Sequence, residues 1–213
     1  MRAPKNLPKS LDDRLITQLS IRDAAVRRGG RLLFEGVALE LAAGEACALT
    51  GPNGSGKTSL LRAVAGLVRL EAGDVGFGGV DPADARGDLH LLGHADGLKA
   101  SRTAREELTF WTRWGGGNDD ALREAADTLE LVPLLDLEVR RLSAGQRRRL
   151  AIARMLAAPR PLWLLDEPLS PLDARWRVAV GTLMQRHLDR GGLILAAVHD
   201  PLPAATRSLE LIA

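Results

Sequence analysis

The sequence predicts an α/β domain in which both ends of the chain build one parallel sheet and the middle forms a helical insert. Residues 46–50 are a short apolar run, followed by a glycine-rich loop and by the helix-forming segment 58–68. The apolar runs at 162–166 and 193–198 are typical of strands in a sheet that is covered on both faces. Strand, loop and helix in this order favour a parallel sheet with helices packed on it.

Two strands are predicted ahead of the glycine-rich loop, and a loose extension ahead of those. Residues 19–26 and 37–41 are apolar segments that alternate with turn residues, as strands do. The start of the chain is polar, contains two prolines and shows no sustained period, so ordering it would bury little apolar surface. We therefore expect residues 1–17 to form a loose extension and residues 18–213 to form the domain.

The middle of the chain is predicted to be helical. Good helix formers dominate from about residue 103 to residue 158, with breaks at 115–118, at Pro133 and near Ser143. A further helix is predicted at 174–188, before the last apolar strand. A helical subdomain of about residues 97–157 is therefore predicted between the two parts of the chain that form the sheet.

The composition is that of an ordinary globular protein with a balanced charge. Of 213 residues, 46% are hydrophobic and 26% charged, and 29 Lys and Arg against 27 Asp and Glu leave a formal net charge of +2. This balance gives no electrostatic reason to expect nucleic acid or an anionic membrane as the main partner. A single cysteine, Cys47, and the lack of an uncharged apolar stretch of ~18 residues predict a soluble chain in a reducing compartment.

The glycine-rich loop has the pattern of a phosphate-binding loop. Residues 51–58 read GPNGSGKT, in which glycines let the backbone turn tightly and present N–H groups to phosphate oxygens. Lys57 supplies a point charge for the β- and γ-phosphates, and the Thr58 hydroxyl is a candidate ligand for Mg²⁺. The nucleotide-binding candidates here are consecutive: Gly51, Pro52, Asn53, Gly54, Ser55, Gly56, Lys57, Thr58 and Ser59.

A second candidate element is the strand that ends in two acids. Residues 162–167 read LWLLDE, so a buried strand delivers Asp166 and Glu167 to the carboxyl edge of the sheet, where ligands bind in open α/β folds. Asp166 is the candidate for holding Mg²⁺, and Glu167 is the candidate for polarising the attacking water.

A third element connects the chain to a family. Ser143, Ala144, Gly145 and Gln146 lie in LSAGQ, just ahead of a helix-forming segment, where they form either an anion site or a plain helix cap. In this order, after the phosphate loop and upstream of the acidic strand, the segment resembles the signature motif of ABC transporter ATPases. The resemblance covers nearly the whole chain from about Leu19.

The resemblance implies a fold, an assembly and a mechanism. The fold is a P-loop NTPase, with a RecA-like core, a small antiparallel sheet and a helical signature subdomain. Two copies form a head-to-tail homodimer that holds ATP between the phosphate loop of one copy and LSAGQ of the other. Asp173 lies in the segment that resembles the D-loop, Glu167 orients water, and His199 resembles the switch histidine that contacts the γ-phosphate. The membrane permease is a separate chain.

Two positions depart from the family pattern. Arg28 lies where many ABC ATPases have an aromatic residue that stacks on adenine; a guanidinium can stack on a base or lie in solvent. His94 lies where a glutamine is usual, and histidine is a poor ligand for Mg²⁺. Two interpretations of His94 are open: it binds a water molecule, or it only shapes the loop.

Within the family, the chain is most similar to the ATP-binding subunits of the haem exporter of cytochrome c maturation. This resemblance rests on the Gly-His pair at His94 with Gly97 and Lys99, on EELTFW and WLLDEP, and on a short C-terminus. It implies export of haem, or a haem-handling step, at the cytoplasmic face of the bacterial inner membrane. Alternatives are another ABC exporter or importer, or a soluble ABC ATPase in cofactor assembly.

Two groups of residues are open to more than one interpretation. Phe110, Trp111 and Trp114 either belong to the groove that receives the permease or pack in the core. Three consecutive arginines, residues 147–149, are the feature on which a nucleic-acid-binding module would rest, although they share a helix with LSAGQ.

Overall fold

The computed structural model describes residues 16–212, so most of the predicted extension, residues 1–15, lies outside the described residues. The described part contains a parallel sheet, a small antiparallel sheet and a group of helices. The strands are β1 (Gln18–Arg28), β2 (Arg31–Ala42), β3 (Ala46–Thr50), β4 (Ala72–Gly76), β5 (Leu89–Leu92), β6 (Leu162–Asp166), β7 (Leu193–Ala197) and β8 (Arg207–Glu210). The helices are α1 (Lys57–Val64), α2 (Pro82–Ala85), α3 (Ala104–Trp114), α4 (Asp119–Thr128), α5 (Ala144–Ala157) and α6 (Ala174–Asp189).

The parallel sheet has the strand order β5-β6-β7-β3-β8 and buries side chains on both faces. Because side chains alternate along a strand, Cys47 and Leu49 face one core, and Ala46 and Ala48 face the other. The first core also contains the antiparallel sheet, of order β2-β1-β4, and α1. The second contains most of the buried side chains of the helices α3 to α6. The sheet is thereby held rigidly from both sides, which fixes the loops at its edges.

The helical insert lies where the sequence predicts it, as α3, α4 and α5 packed against one another. The ends of α3 and α5 are fixed locally by capping boxes, Thr103 with Glu106 and Ser143 with Gln146. The bounds of a separate helical subdomain, residues 97–157, stay a prediction.

The helix predicted over 58–68 is wrong at its C-terminal end. The structure ends α1 at Val64, because Gly66 adopts a φ of +70°, in the left-handed region that terminates helices, and Leu67 turns out to solvent. The strands β4, β5 and β8 are additions to the predicted set, with only four or five residues each. Between residues 16 and 212, no helix is both long and apolar enough to cross a membrane.

Candidate functional site: a phosphate-binding cleft

The candidate site lies at the carboxyl edge of the parallel sheet. The phosphate loop follows β3, Glu167 follows β6, and His199 lies two residues beyond β7. Because β6, β7 and β3 are neighbours in register, with Asp166 paired to Ala197 and Leu49 paired to the same residue, these three segments leave the sheet side by side. The order of the strands therefore brings together residues that are up to about 150 positions apart in sequence.

Two glycines of the phosphate loop are required by close packing as well as by conformation. Gly51 has a φ of +125°, and a Cβ there would collide with the carbonyl oxygen of Leu211. Gly56 has a φ of +100°, and a Cβ there would collide with the ring of Phe34, which is buried. Side chains at either position would displace the loop, so these glycines set its shape.

Two side chains of the loop are buried beneath it. The Lys57 ammonium donates to the carbonyl oxygens of Gly51 (2.7 Å) and Pro52 (3.1 Å), which holds the lysine across the loop. Ser55 is 1% exposed, and its buried hydroxyl finds no hydrogen-bond partner among the described residues. A buried hydroxyl without a partner is uncommon, and a phosphate oxygen is an acceptor that would satisfy it.

Thr58 and Asp166 form the oxygen-rich part of the cleft. The Thr58 hydroxyl lies 3.1 Å and 3.0 Å from the two carboxylate oxygens of Asp166, to which it donates. Asp166 is the last residue of β6 and is buried. A hydroxyl beside a carboxylate is the donor set that Mg²⁺ prefers, so the residues present fit this ion.

Glu167 and His199 face each other over the cleft. Glu167 has a φ of +48°, which is unusual for a residue with a side chain, and its N–H donates to the carbonyl oxygen of Ala197 at 2.9 Å. This bond ties the turn after β6 to the last residue of β7. The Glu167 Oε1 atom lies 3.5 Å from Nε2 of His199. A strained backbone that holds a carboxylate beside an imidazole is typical of a catalytic position.

The cleft has a volume of about 540 Å³, and its lining includes both positions that depart from the family pattern. Arg28 is exposed at the end of β1, where the turn through Gly29 and Gly30 leads into β2, and it belongs to the lining of the cleft. His94 is exposed in the loop that follows β5. The structure thus places both near the nucleotide-binding loop, although their functions stay predictions.

The lining of the cleft also includes Leu33 and Ser170, which were not predicted from the sequence as binding residues. No sequence signal identifies Leu33, because an apolar residue in a strand is ordinary. Ser170 could have been found, because it lies in the segment that resembles the D-loop.

The signature residues are outside this cleft. The Ser143 hydroxyl accepts from the N–H of Gln146 at 3.2 Å, and the Gln146 side chain accepts from the N–H of Ser143 at 2.8 Å, which caps α5. Ser143 and Ala144 are exposed, and Gly145 packs close to the carbonyl of Pro171. Asp173 caps α6 by accepting from the N–H of Trp176 at 2.9 Å. One chain therefore does not bring its signature to its own phosphate loop.

The fold and this cleft define the nucleotide-binding domain of an ABC-type ATPase. A family model described as "ABC transporter" matches residues 34–170, and the chain belongs to that family. The fold is also similar to solved structures: an ABC transporter ATP-binding protein from Pyrococcus furiosus has a TM-score of 0.81 at 22% identity, over 92% of this chain and 98% of that one. The ATP-binding subunit of another ABC transporter has a TM-score of 0.77 at 23% identity, over 85% and 79% of the two chains. The predicted fold class is confirmed.

Within that family, the chain is similar to bacterial proteins named cytochrome c biogenesis ATP-binding export protein CcmA. It is 48% identical over 194 residues to the protein from Rhodopseudomonas palustris strain BisB5, covering 91% of this chain and 97% of that protein. Identity to the protein from Nitrobacter hamburgensis is 49% over 189 residues, covering 86% and 93%. Identity to the protein from Rhizobium meliloti is 43% over 206 residues, covering 91% and 97%. These relatives confirm the resemblance that the sequence motifs predicted.

Proposed function

We propose that this chain is the ATP-hydrolysing subunit of a bacterial ABC exporter that moves haem, or performs a haem-handling step, for cytochrome c biogenesis. The observation that carries the ATPase part is the meeting of Lys57, Thr58, Asp166, Glu167 and His199 in one cleft. Support for the biological role comes from the identity to cytochrome c biogenesis export proteins over nearly their whole length.

The phosphate loop binds the triphosphate of ATP. Backbone N–H groups of the loop and of the first turn of α1 point their positive dipoles at the phosphate oxygens. The Lys57 ammonium, already held at the loop by the Gly51 and Pro52 carbonyls, adds a point charge for the β- and γ-phosphates. The buried Ser55 hydroxyl supplies one further donor.

Thr58 and Asp166 would hold Mg²⁺. When bound, Mg²⁺ neutralises charge on the β- and γ-phosphates and so favours transfer of the terminal phosphoryl group to water. The Asp166 carboxylate is fixed for this by its place at the end of β6 and by the Thr58 hydroxyl.

Glu167 orients and polarises the attacking water, and His199 contacts the γ-phosphate. The Glu167 backbone bond to Ala197 fixes the carboxylate relative to β7, and the imidazole lies 3.5 Å away across the turn. The two side chains therefore lie next to each other in the lining of the cleft, which also contains Lys57 of the phosphate loop. Such positioning of water and phosphate supplies most of the catalysis in phosphoryl transfer.

The active assembly is a head-to-tail homodimer with ATP at its interface. Support for this comes from the exposed signature, which contains the N-terminus of the 14-residue helix α5 and lies outside the chain's own cleft. In the dimer, Ser143 and Gly145 of one copy face the γ-phosphate bound by the other. The D-loop with Asp173 lies beside the signature within the chain, through the approach of Gly145 to Pro171.

The permease, a separate membrane chain, docks in the groove between the parallel sheet and α3, at the cytoplasmic face of the inner membrane. This groove has a volume of about 510 Å³ and includes Leu67, Trp111 and Trp114 in its lining. Leu67 is 68% exposed, and Phe110 and Trp114 are exposed and stacked on each other, which favours a docking surface over core packing.

The three arginines on which a nucleic-acid-binding module would rest, residues 147–149, make contacts within the chain. Arg147 donates to the carbonyl of Leu142, and Arg148 is buried. Arg149 donates to the carbonyl of Leu129 and stacks on Trp176. None of these contacts favours a phosphate-binding surface, so this alternative receives no support.

A complementation experiment tests the proposed function. The chain is expressed in a bacterium whose own cytochrome c biogenesis ATP-binding export protein has been deleted, and covalently bound haem is stained on gels. We expect the wild-type chain to restore c-type cytochromes and to co-purify with a permease from detergent-solubilised membranes. Glu167→Gln, which keeps the shape of the cleft, is the matched control and should restore neither the cytochromes nor ATP turnover.

The alternative outcomes separate the competing functions. A chain that hydrolyses ATP and co-purifies with an unrelated permease, without restoring c-type cytochromes, belongs to another ABC transporter. A chain that hydrolyses ATP and binds no membrane protein would support the soluble ATPase instead.

A further inference from the structure

Arg148 is a buried charge that the mechanism above does not use. It lies in the second turn of α5, four residues after the start of that helix, and is 2% exposed. Burial lowers the pKa of its guanidinium, while the carboxylates of Asp96, Asp166 and Glu167 act in the opposite direction. A buried arginine needs partners that repay its desolvation, so its partners indicate its role.

Those partners are in the loop that contains His94. The Arg148 guanidinium donates to the carbonyl oxygens of Gly93 (3.0 Å) and His94 (3.3 Å), and it lies 3.3 Å from the carboxylate of Asp96. Arg154, six residues further along α5, donates to the carbonyls of Asp96 (2.9 Å) and Gly97 (3.1 Å). The helix that begins at the signature therefore holds the loop at the phosphate cleft by its backbone.

A second buried arginine shows that this arrangement is specific to one end of β5. Arg160 is also buried, burial lowers its pKa too, and it lies 3.4 Å from the carboxylate of Asp88. Asp88 precedes β5, however, whereas Asp96 follows it, so the two pairs lie at opposite edges of the sheet. Only the Arg148 pair is at the edge that contains the phosphate loop.

We infer that Arg148 is a positioning residue for ATP hydrolysis. It ties the loop that contains His94 to the signature helix α5 and so fixes the position of the loop relative to the helix. The inference rests on the proposed ATP hydrolysis but not on the exported molecule. Because Arg148 fixes both a wall of one chain's cleft and the helix that serves the partner's ATP, its loss disturbs two halves of the catalytic assembly. Binding of ATP by the phosphate loop does not depend on these contacts.

Steady-state kinetics of the isolated subunit give the first test. We expect Arg148→Met to lower kcat about 10-fold and to leave KM for ATP within about twofold, because the loop that binds the phosphates is intact. Arg148→Lys should recover part of kcat, since an ammonium reaches one carbonyl but does not match the planar guanidinium. Arg160→Met is the matched control, with a buried arginine removed from a similar ion pair, and should keep kcat within about twofold of wild type.

A double variant separates positioning from stability. Arg148→Met leaves the Asp96 carboxylate without its ion-pair partner, which lowers the melting temperature. Adding Asp96→Asn removes the carboxylate charge and should restore much of the lost stability. If positioning is the role, the double variant melts near wild type but keeps the low kcat. Recovery of kcat together with stability would overturn the inference, as would an equal loss of kcat in Arg160→Met.

Hydrogen exchange tests the positioning role without reference to turnover. In Arg148→Met, the amides of residues 93–97 should exchange about 10-fold faster than in wild type, while those of the phosphate loop are unchanged. Unchanged exchange in residues 93–97 would overturn the inference. A wild-type chain that does not hydrolyse ATP contradicts the proposed function, and the exchange result then decides the role of Arg148 alone.

Discussion

The phosphate cleft and the signature segment differ in how much of a working site one chain supplies. In the cleft, the residues proposed to bind phosphate, hold Mg²⁺ and orient water lie together, some of them from positions far apart in sequence. The signature, Ser143 to Gln146, is fixed locally by its capping box, but Ser143 and Ala144 are exposed and the whole segment lies outside the cleft. Both regions are already structured within one chain, but only the cleft contains all the residues that one chain is proposed to supply for binding ATP.

This difference is the basis for the proposed control of ATP hydrolysis by dimer assembly. Because the cleft is present in one chain, we expect a single subunit to bind ATP. Because the signature lies outside that cleft, hydrolysis is proposed to require a second copy of the chain.

The largest effect is expected from Glu167→Gln. The amide keeps the shape of the side chain but cannot polarise water as the carboxylate does, so hydrolysis should fall by about 100-fold or more while ATP still binds. Turnover and the Kd for ATP, measured on the same preparation, check this, and the variant should dimerise more stably with ATP on a sizing column. Wild-type turnover would remove Glu167 from the mechanism.

Ser143→Arg should lower hydrolysis by about 10-fold or more without weakening ATP binding to the isolated chain. The new side chain places a bulky charge where the partner's γ-phosphate is expected to dock, whereas the chain's own cleft is untouched. Nucleotide titration at low protein concentration measures binding, and turnover at high concentration measures the assembled site. Parallel losses of both would argue against a signature that acts in trans.

His94→Ala should separate the rate of the isolated subunit from the rate of the complex. His94 lines the cleft, and its loop is held on α5, beside the groove proposed for the permease. We expect the basal rate to fall only about two- to threefold and the permease-stimulated rate about 10-fold. Equal losses would instead make the imidazole part of the chemistry, and no loss would leave it a residue of the loop.

Arg28→Ala is expected to have the smallest effect. Among the described residues, the lining of the cleft contains no Phe, Tyr or Trp side chain on which the adenine could stack, so we expect weak recognition of the base. We expect kcat/KM for ATP to fall by about threefold at most, and wild type to hydrolyse GTP at a similar rate to ATP. A strong preference of wild type for ATP that Arg28→Ala abolishes would assign Arg28 to base recognition.

Much of the fold and most of the cleft could be predicted from the sequence, because local signals there agree with the tertiary structure. The apolar strands that end at Thr50 and Asp166 and the glycine-rich loop between them have fixed spacing and strong patterns. The order of the parallel strands then brings the predicted residues together.

The rest depends on contacts between segments with weak local signals. The strands β4 and β8 have few apolar residues, and they form because they pair with β1 and β3. The early end of α1 at Val64 follows from the left-handed conformation of Gly66, which the helix-forming residues around it conceal. Arg148 looked like one of three surface arginines in the sequence, and only the packing of α5 against residues 93–97 shows that it is buried.

A mixing experiment with two inactive variants tests the composite site most directly. Lys57→Ala inactivates the phosphate loop, and Ser143→Arg inactivates the signature. A mixed dimer therefore retains one site in which an intact phosphate loop meets an intact signature, whereas each homodimer of a variant has no such site. Random pairing of equal amounts predicts about a quarter of the wild-type rate, far above either variant alone. A mixture that only averages the two inactive rates would contradict the account, because the whole site would then lie within one chain.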